Sequence, residues 1–104
     1  MSRMKRQPTH PGKIIKEDYL VPLSISIKDM ALNLGVSRKT LSKIVNEKGA
    51  VSPDMALRLS RAFDTTPELW LNLQTKYDLW IAEHASDTWR LVKSISPKLI
   101  HPTP

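Results

Sequence analysis

Five polar or basic residues between positions 38 and 43 carry the groups that read base pairs in duplex DNA. Arginine can donate two hydrogen bonds to O6 and N7 of guanine, and threonine can bond a base or touch the methyl group of thymine. The stretch from residue 30 to 46 contains no acidic residue that would repel phosphate. We expect the base-contacting residues to be Arg38, Lys39, Thr40, Ser42 and Lys43.

A second group of polar residues flanks this segment and is placed for phosphate contacts. Two of its serines fall at predicted helix N-termini, where unpaired backbone N–H groups and the helix dipole favour an anion. We expect the phosphate-contacting residues to be Ser26, Ser37, Asn46 and Lys48.

The apolar spacing around these residues predicts the element that positions them. Ala31 falls where two short helices must approach closely, and Gly35 falls four residues later, at the turn between them. The expected core positions of the pair are Met30, Leu34, Val36, Leu41 and Ile44. This spacing is typical of a helix-turn-helix, which lays its second helix in the major groove, and we place it over about residues 26–46. The alternative is an ordinary antiparallel helix pair with a solvated basic face.

Capping residues predict the other helices. Pro11 suits the first turn of a helix that reads KIIKEDYL, which Pro22 ends, and His10 is the expected cap. Ser26 and Ser37 cap the second and third helices, and the third is expected to end near Lys48-Gly49. Ser52-Pro53-Asp54 and Thr66-Pro67-Glu68 combine a capping hydroxyl, a proline and an acid, and so begin the fourth and fifth helices. No alternating strand pattern is present, so we predict an all-α domain of five or six helices.

The fifth helix carries two apolar strips. The expected core strip consists of Leu69, Trp70, Leu73, Tyr77, Trp80 and Ile81. Stacking of the aromatic residues on nucleotide bases is the alternative, and we favour core packing. A weaker second strip needs a partner, and we expect it to form a dimer interface through Leu71, Thr75, Leu79 and Ala82. A further helix from Ser86 could pack back through Trp89, Leu91 and Val92.

The amino-acid composition limits the classes of protein to which this chain can belong. The 104 residues allow one domain, and 16 Lys and Arg against 10 Asp and Glu give a net charge of +6 that favours a polyanion. The absence of cysteine excludes disulfides and zinc–thiolate sites, and the three histidines are widely separated, so we expect no metal or cofactor. We find no catalytic cluster that would indicate an enzyme. No apolar run approaches the ~20 residues of a membrane helix, and we expect a cytoplasmic protein.

The chain divides into three parts. We expect a flexible basic arm over residues 1–9, a domain over residues 10–95 and a flexible, proline-rich tail over residues 96–104. The basic residues of the arm, which could enter a minor groove, are Arg3, Lys5 and Arg6.

Three segments together resemble the HigA-type (VapI-type) antitoxins of the Cro/cI repressor-like group. They are HPGKIIKEDYLVPL, LGVSRKTLSKIVNEKGAVSPDMALRLSRAF and TPELWLNLQTKYDLWIAEH, of which LWLNLQ followed by YDLW is the most specific. The resemblance implies a five-helix, lambda-repressor-like domain that forms a homodimer and binds a palindromic operator. It also implies an antitoxin that represses its own operon beside a HigB/RelE-like ribonuclease toxin, and it places the DNA-contacting helix at residues 37–46. The alternatives are a stand-alone regulator and a protein-interaction module that does not read DNA.

Overall fold

The computed structural model describes residues 6–95, which form five α-helices and no β-strand. The helices are α1 (Pro11–Ile14), α2 (Ile27–Leu34), α3 (Arg38–Val45), α4 (Pro53–Phe63) and α5 (Pro67–Ala85). A π-helical segment, Ile15–Leu20, continues α1, and one 3₁₀ turn, Thr88–Leu91, follows α5. The all-α prediction is confirmed. Residues 1–5 of the expected arm and the whole expected tail, 96–104, lie outside the described residues.

A side-chain oxygen caps the start of each helix from α2 to α5, as the sequence predicts. In each case the capping hydroxyl accepts a hydrogen bond from the backbone N–H three residues later, which satisfies one of the unpaired donors of the first turn. The pairs are Ser26 with Asp29 (3.0 Å), Ser37 with Thr40 (3.0 Å), Ser52 with Met55 (3.2 Å) and Thr66 with Leu69 (3.2 Å).

The segment His10-Pro11-Gly12 joins α1 to two other helices. Nδ1 of His10 accepts a hydrogen bond from the backbone N–H of Gly12 at 2.9 Å, which confirms the expected cap. The buried imidazole ring meets the ring of Tyr77 on α5 edge-on, with centroids 4.7 Å apart. A Cβ at Gly12 would overlap the carbonyl group of Ile44, so glycine is what allows α1 to approach α3 this closely.

The turn between α2 and α3 has the predicted form. Gly35 adopts a left-handed conformation with φ of 73°, which a side chain would strain. The N–H of Val36 donates to the carbonyl oxygen of Ala31 at 3.1 Å, and the N–H of Gly35 donates to that of Leu32 at 3.2 Å. This is the Schellman arrangement that ends many helices. The predicted core positions of the pair are buried, except Val36, which is half-buried and packs against the core.

Trp70 of α5 lies at the centre of the core and is fully buried. Its indole N–H donates to Oγ1 of Thr65 at 2.7 Å, so the polar group of the ring is satisfied inside the protein. Beside it, the rings of Tyr19 and Phe63 stack with centroids 3.7 Å apart. The core therefore ties α5 to α4 and to the π-helical segment.

The buried strip of α5 differs from the predicted one. Leu69 and Ile81 are 43% and 41% exposed, so their assignment to the core was wrong, whereas Leu71 packs against the core. Gln74 is buried, one helical turn after Trp70. The prediction extended one apolar strip over the whole helix, but the last turns of α5 are largely exposed. The buried face is set by what packs against the first half of α5.

Two smaller predictions were also wrong. Leu91 and Val92 are 76% and 80% exposed and do not pack back, because a single 3₁₀ turn is too short to present an apolar face. The third helix ends at Val45 and not near residues 48–49. Beyond it, the N–H groups of Lys48 and Gly49 both donate to the carbonyl oxygen of Lys43, which closes the chain into a turn.

Candidate nucleic-acid interface

The helix α3 has one buried face and one free face. Leu41, Ile44 and Val45 are buried and hold the helix against the rest of the domain. The residues predicted to contact bases are exposed, except Ser42, which is half-buried. Residues three and four positions apart share a helix face, so Arg38, Lys39, Ser42 and Lys43 lie together, whereas Thr40 lies near the edge of that face.

The hydroxyl groups of Ser37 and Thr40 are linked. Oγ of Ser37 accepts a hydrogen bond from the backbone N–H of Thr40 and donates to Oγ1 of Thr40 at 2.8 Å. The Thr40 hydroxyl therefore keeps its own proton, which it can donate to a base or phosphate acceptor. Since the proton of the Ser37 hydroxyl is already used, any phosphate contact of Ser37 in this geometry comes from backbone N–H groups at the start of α3.

A second polar pair lies near the carboxyl end of α3. Nδ2 of Asn46 donates to Oγ of Ser42 at 3.2 Å. The Ser42 hydroxyl retains a proton to donate, and the Asn46 amide retains its carbonyl oxygen and a second N–H. Asn46 is exposed, so both remaining groups can reach a ligand on the free face of α3.

The start of α2 is less favourable for an anion than the start of α3. Ser26 is a cap whose hydroxyl proton is available for a phosphate oxygen. However, Asp29 is exposed in the first turn of α2, and its carboxylate competes for the positive end of the helix dipole. The first turn of α3 contains no acid. Phosphate binding at Ser26 is therefore opposed by a neighbouring negative charge that Ser37 does not face.

The charge along α3 and the turn after it is predominantly positive. Residues 38–48 contain four cationic side chains and one acid, Glu47. The cations are all exposed: Arg38, Lys39, Lys43 and Lys48. A face of this sign, beside hydroxyl and amide donors, suits a polyanion that also offers hydrogen-bond acceptors.

The sequence matches the helix-turn-helix family over residues 15–70, which is more than half of the chain. The chain belongs to this helix-turn-helix family. It is 46% identical over 96 residues to an uncharacterized HTH-type transcriptional regulator of Haemophilus influenzae, covering 92% of this chain and 90% of that protein. It is 39% identical over 80 residues to antitoxin HigA-1 of Vibrio cholerae, covering 77% of this chain and 75% of that protein.

A solved structure extends the similarity to a protein bound to DNA. Antitoxin GraA in complex with its operator gives a TM-score of 0.81 at 41% sequence identity, over 93% of this chain and 100% of the GraA chain. The resemblance to HigA-type antitoxins is thereby confirmed, and the chain is a helix-turn-helix protein of the group that includes them.

One residue that supports the candidate interface of this helix-turn-helix protein was not predicted from the sequence. Oε1 of the buried Gln74 accepts a hydrogen bond from the backbone N–H of Val51 at 2.9 Å, and its Nε2 donates to Oδ1 of Asp78 at 2.9 Å. Gln74 thus braces the loop that follows α3. The available signal was an amide one helical turn after Trp70, on the same face of the helix, in LWLNLQ.

Between residues 6 and 95, no three or more His, Asp or Glu side chains lie close enough to hold a metal ion. Within the same range, none of the helices has the length and apolarity needed to cross a membrane.

Proposed function

We propose that this protein is a sequence-specific DNA-binding repressor that reads its operator through α3. The observation that carries the proposal is the free face of α3, where Arg38, Lys39 and Lys43 are exposed while the opposite face is buried. The GraA–operator complex supports it, because GraA shares the fold and 41% of aligned residues with this chain.

The proposal assigns separate roles to two groups of residues. Side chains near the start of a recognition helix reach base edges, whereas side chains at its flanks reach phosphates. The proposed base-contacting residues are Arg38, Lys39, Thr40, Ser42 and Lys43. The proposed phosphate-contacting residues are Ser26, Ser37, Asn46 and Lys48.

The proposed active form is a homodimer on a palindromic operator. Two recognition helices enter successive major grooves when they lie about 34 Å apart, which a two-fold symmetric pair of chains provides. Leu79 is 58% exposed and, with Ala82 and Trp89, lines a cleft of about 410 Å³. An exposed apolar surface of this kind favours a protein partner. The proposed interface residues are Leu71, Thr75, Leu79 and Ala82, with Leu71 at its margin because it packs against the core.

We further propose that the protein is the antitoxin of a HigB/RelE-like ribonuclease toxin and represses their shared operon. The support is the similarity to antitoxin HigA-1. The second candidate is a stand-alone regulator, which the 46% identity to the Haemophilus influenzae regulator favours. A ribonuclease-like reading frame beside this one would support the antitoxin, and its absence would support the regulator. Either role requires access to DNA, so we keep the cytoplasm as the expected location.

A salt titration of binding to duplex DNA tests the proposal. The phosphate contact of Lys48 on each of two chains alone corresponds to a log–log slope of about −2, because each phosphate that a lysine or arginine neutralises contributes about −0.9, and further cationic contacts would make the slope steeper. The Lys48→Ala variant should make the slope shallower by about one unit per chain. Lys76→Ala, which removes an exposed charge from α5, is the matched control and should leave it unchanged. A wild-type slope near zero would instead indicate a protein-interaction module that does not read DNA.

A further inference from the structure

Two carbonyl oxygens at the turn between α2 and α3 bind a side chain from a different helix. The Schellman hydrogen bonds use the carbonyl oxygens of Ala31 and Leu32 and leave those of Leu34 and Gly35 without a backbone donor there. Nη1 of Arg58, on α4, donates to the carbonyl oxygen of Leu34 at 2.9 Å and to that of Gly35 at 3.3 Å. Arg58 therefore completes the capping of α2 from outside the helix-turn-helix.

The guanidinium group of Arg58 is held from both sides. Its Nε donates to Oδ2 of Asp54 at 2.8 Å, one helical turn earlier on α4. The guanidinium lies directly over the turn, since a Cβ at Gly35 would come within 2.9 Å of Nη1. A positive charge beside the carboxyl end of α2 also interacts favourably with the helix dipole. Charge-assisted hydrogen bonds of this kind are stronger than neutral ones.

The position of these contacts connects them to base reading. The first proposed base-contacting residue, Arg38, follows Gly35 by three positions. With eight residues, α3 is about 12 Å long, so a rotation of about 10° at the turn moves its far end by about 2 Å. A shift of that size breaks hydrogen bonds to base edges, whereas long lysine side chains can still reach phosphates.

We propose that Arg58 is a positioning residue that fixes the direction of α3 and so determines how well the protein distinguishes its operator from other DNA. The inference rests on the proposed function, because it concerns the same DNA-reading helix. Arg58 acts through the backbone of the turn and not by touching DNA. Asp54 supports it by orienting the guanidinium group.

The test compares the affinity of each variant for an operator obtained by selection with its affinity for random duplex of equal length. All proteins are measured at one salt concentration and well below their unfolding temperatures. Arg58→Gln should lower operator affinity by about tenfold but random-duplex affinity by less than about threefold. Arg61→Gln is the matched control, because Arg61 is an exposed arginine one turn later on α4, and it should change the ratio of the two affinities little. Asp54→Asn should reduce that ratio in the same direction as Arg58→Gln, by a smaller factor.

A direct phosphate contact by Arg58 would give a different result. In that case Arg58→Gln would weaken binding to both duplexes equally and make the salt slope on random duplex shallower by about one unit per bound chain, and Arg58→Lys would restore binding. Either result would overturn the positioning role. Conversely, Arg58→Lys should not restore discrimination, because an ammonium group cannot hold Asp54 and the turn in the same fixed geometry.

Amide hydrogen exchange of the free protein tests the inference without DNA. Arg58→Gln should speed exchange in residues 35–41 while leaving the middle of α5 protected, and Arg61→Gln should change neither region. Unchanged exchange at the turn would contradict the proposal. Failure of the proposed function would give a different result from failure of the Arg58 proposal, because the wild-type protein itself would then bind the selected duplex and random duplex equally.

Discussion

Gln74 accepts a hydrogen bond at Oε1 from the backbone N–H of Val51 at 2.9 Å, and both groups are buried. This contact joins the middle of α5 to the loop between α3 and α4. A backbone donor buried without a partner costs free energy, and here the partner comes from a residue 23 positions away. The loop after α3 is therefore held by a side chain of the core and not by its own turn residues alone.

Replacement of Gln74 by alanine should destabilise the domain. The N–H of Val51 would stay buried without an acceptor, which costs about 1–3 kcal/mol of unfolding free energy. Urea denaturation followed by circular dichroism measures the change. Asn72→Ala, at an exposed position two residues earlier, should change the unfolding free energy by less than about 0.5 kcal/mol. Equal stability of the two variants would contradict the structural role of Gln74.

The stability of the domain should fall as the pH drops below 6.5, because burial lowers the pKa of His10 from its ordinary value of 6.5. The nearby acids Glu47 and Asp78 and a backbone hydrogen bond with Gly49 oppose the shift without cancelling it. Below pH 6.5 the imidazole of His10 becomes protonated in the unfolded chain before it does so in the folded chain. Acidification therefore favours unfolding. Stability from this residue is complete above pH 6.5 and declines toward the lower pKa of the folded state.

Urea denaturation between pH 7.5 and 5.5 measures this effect, with His10→Asn as the comparison. Asparagine can accept the Gly12 N–H but loses the ring contact with Tyr77, so the variant should be less stable at pH 7.5. Because asparagine does not titrate, the variant should lose less stability on acidification. The advantage of the wild type should shrink by at most about 1.4 kcal/mol per pH unit. An advantage that grows as the pH falls would contradict the direction of the shift.

A charge at Leu79 should disrupt the proposed dimer. Leu79→Glu would place a carboxylate at the edge of the apolar cleft, where burial against a second chain is unfavourable. Sedimentation at tens of micromolar should show a dimer for the wild type and a monomer for this variant. Leu57→Glu on α4 is the matched control, because Leu57 is 57% exposed and Leu79 is 58% exposed. A wild-type monomer would contradict the proposed dimer, and equal effects of both substitutions would place the interface elsewhere.

The helix-turn-helix could be predicted because its signals are local. Gly35 is the residue that a left-handed turn requires, and Ser37 caps the next helix three positions before the N–H that it satisfies. The helical spacing of the apolar residues along α3 then indicates which face is free. Each of these inferences needs only a few neighbouring residues and the geometry of a helix.

The parts that could not be predicted depend on contacts between distant residues. The roles of Gln74 and Arg58 require knowing which backbone groups lie beside them, 23 and 24 positions away. The exposure of Leu69 depends on which face of the first turn of α5 the core covers, and that of Ile81 depends on where α5 loses its neighbours. The periodicity of the helix itself contains neither. These contacts and exposures therefore follow from packing between residues that are distant in the sequence, which local patterns cannot predict.

Selection of duplexes from a random pool, followed by binding of two variants to the selected sequence, tests the central claim most directly. We expect the pool to yield a palindrome with half-sites about 10 base pairs apart. Arg38→Ala should then lose about 1–3 kcal/mol of binding free energy and should prefer the base pair at one position of the operator less strongly. Lys48→Ala should weaken binding to all sequences about equally. A pool that yields no common sequence, or two variants that behave alike on selected and random DNA, would contradict the account.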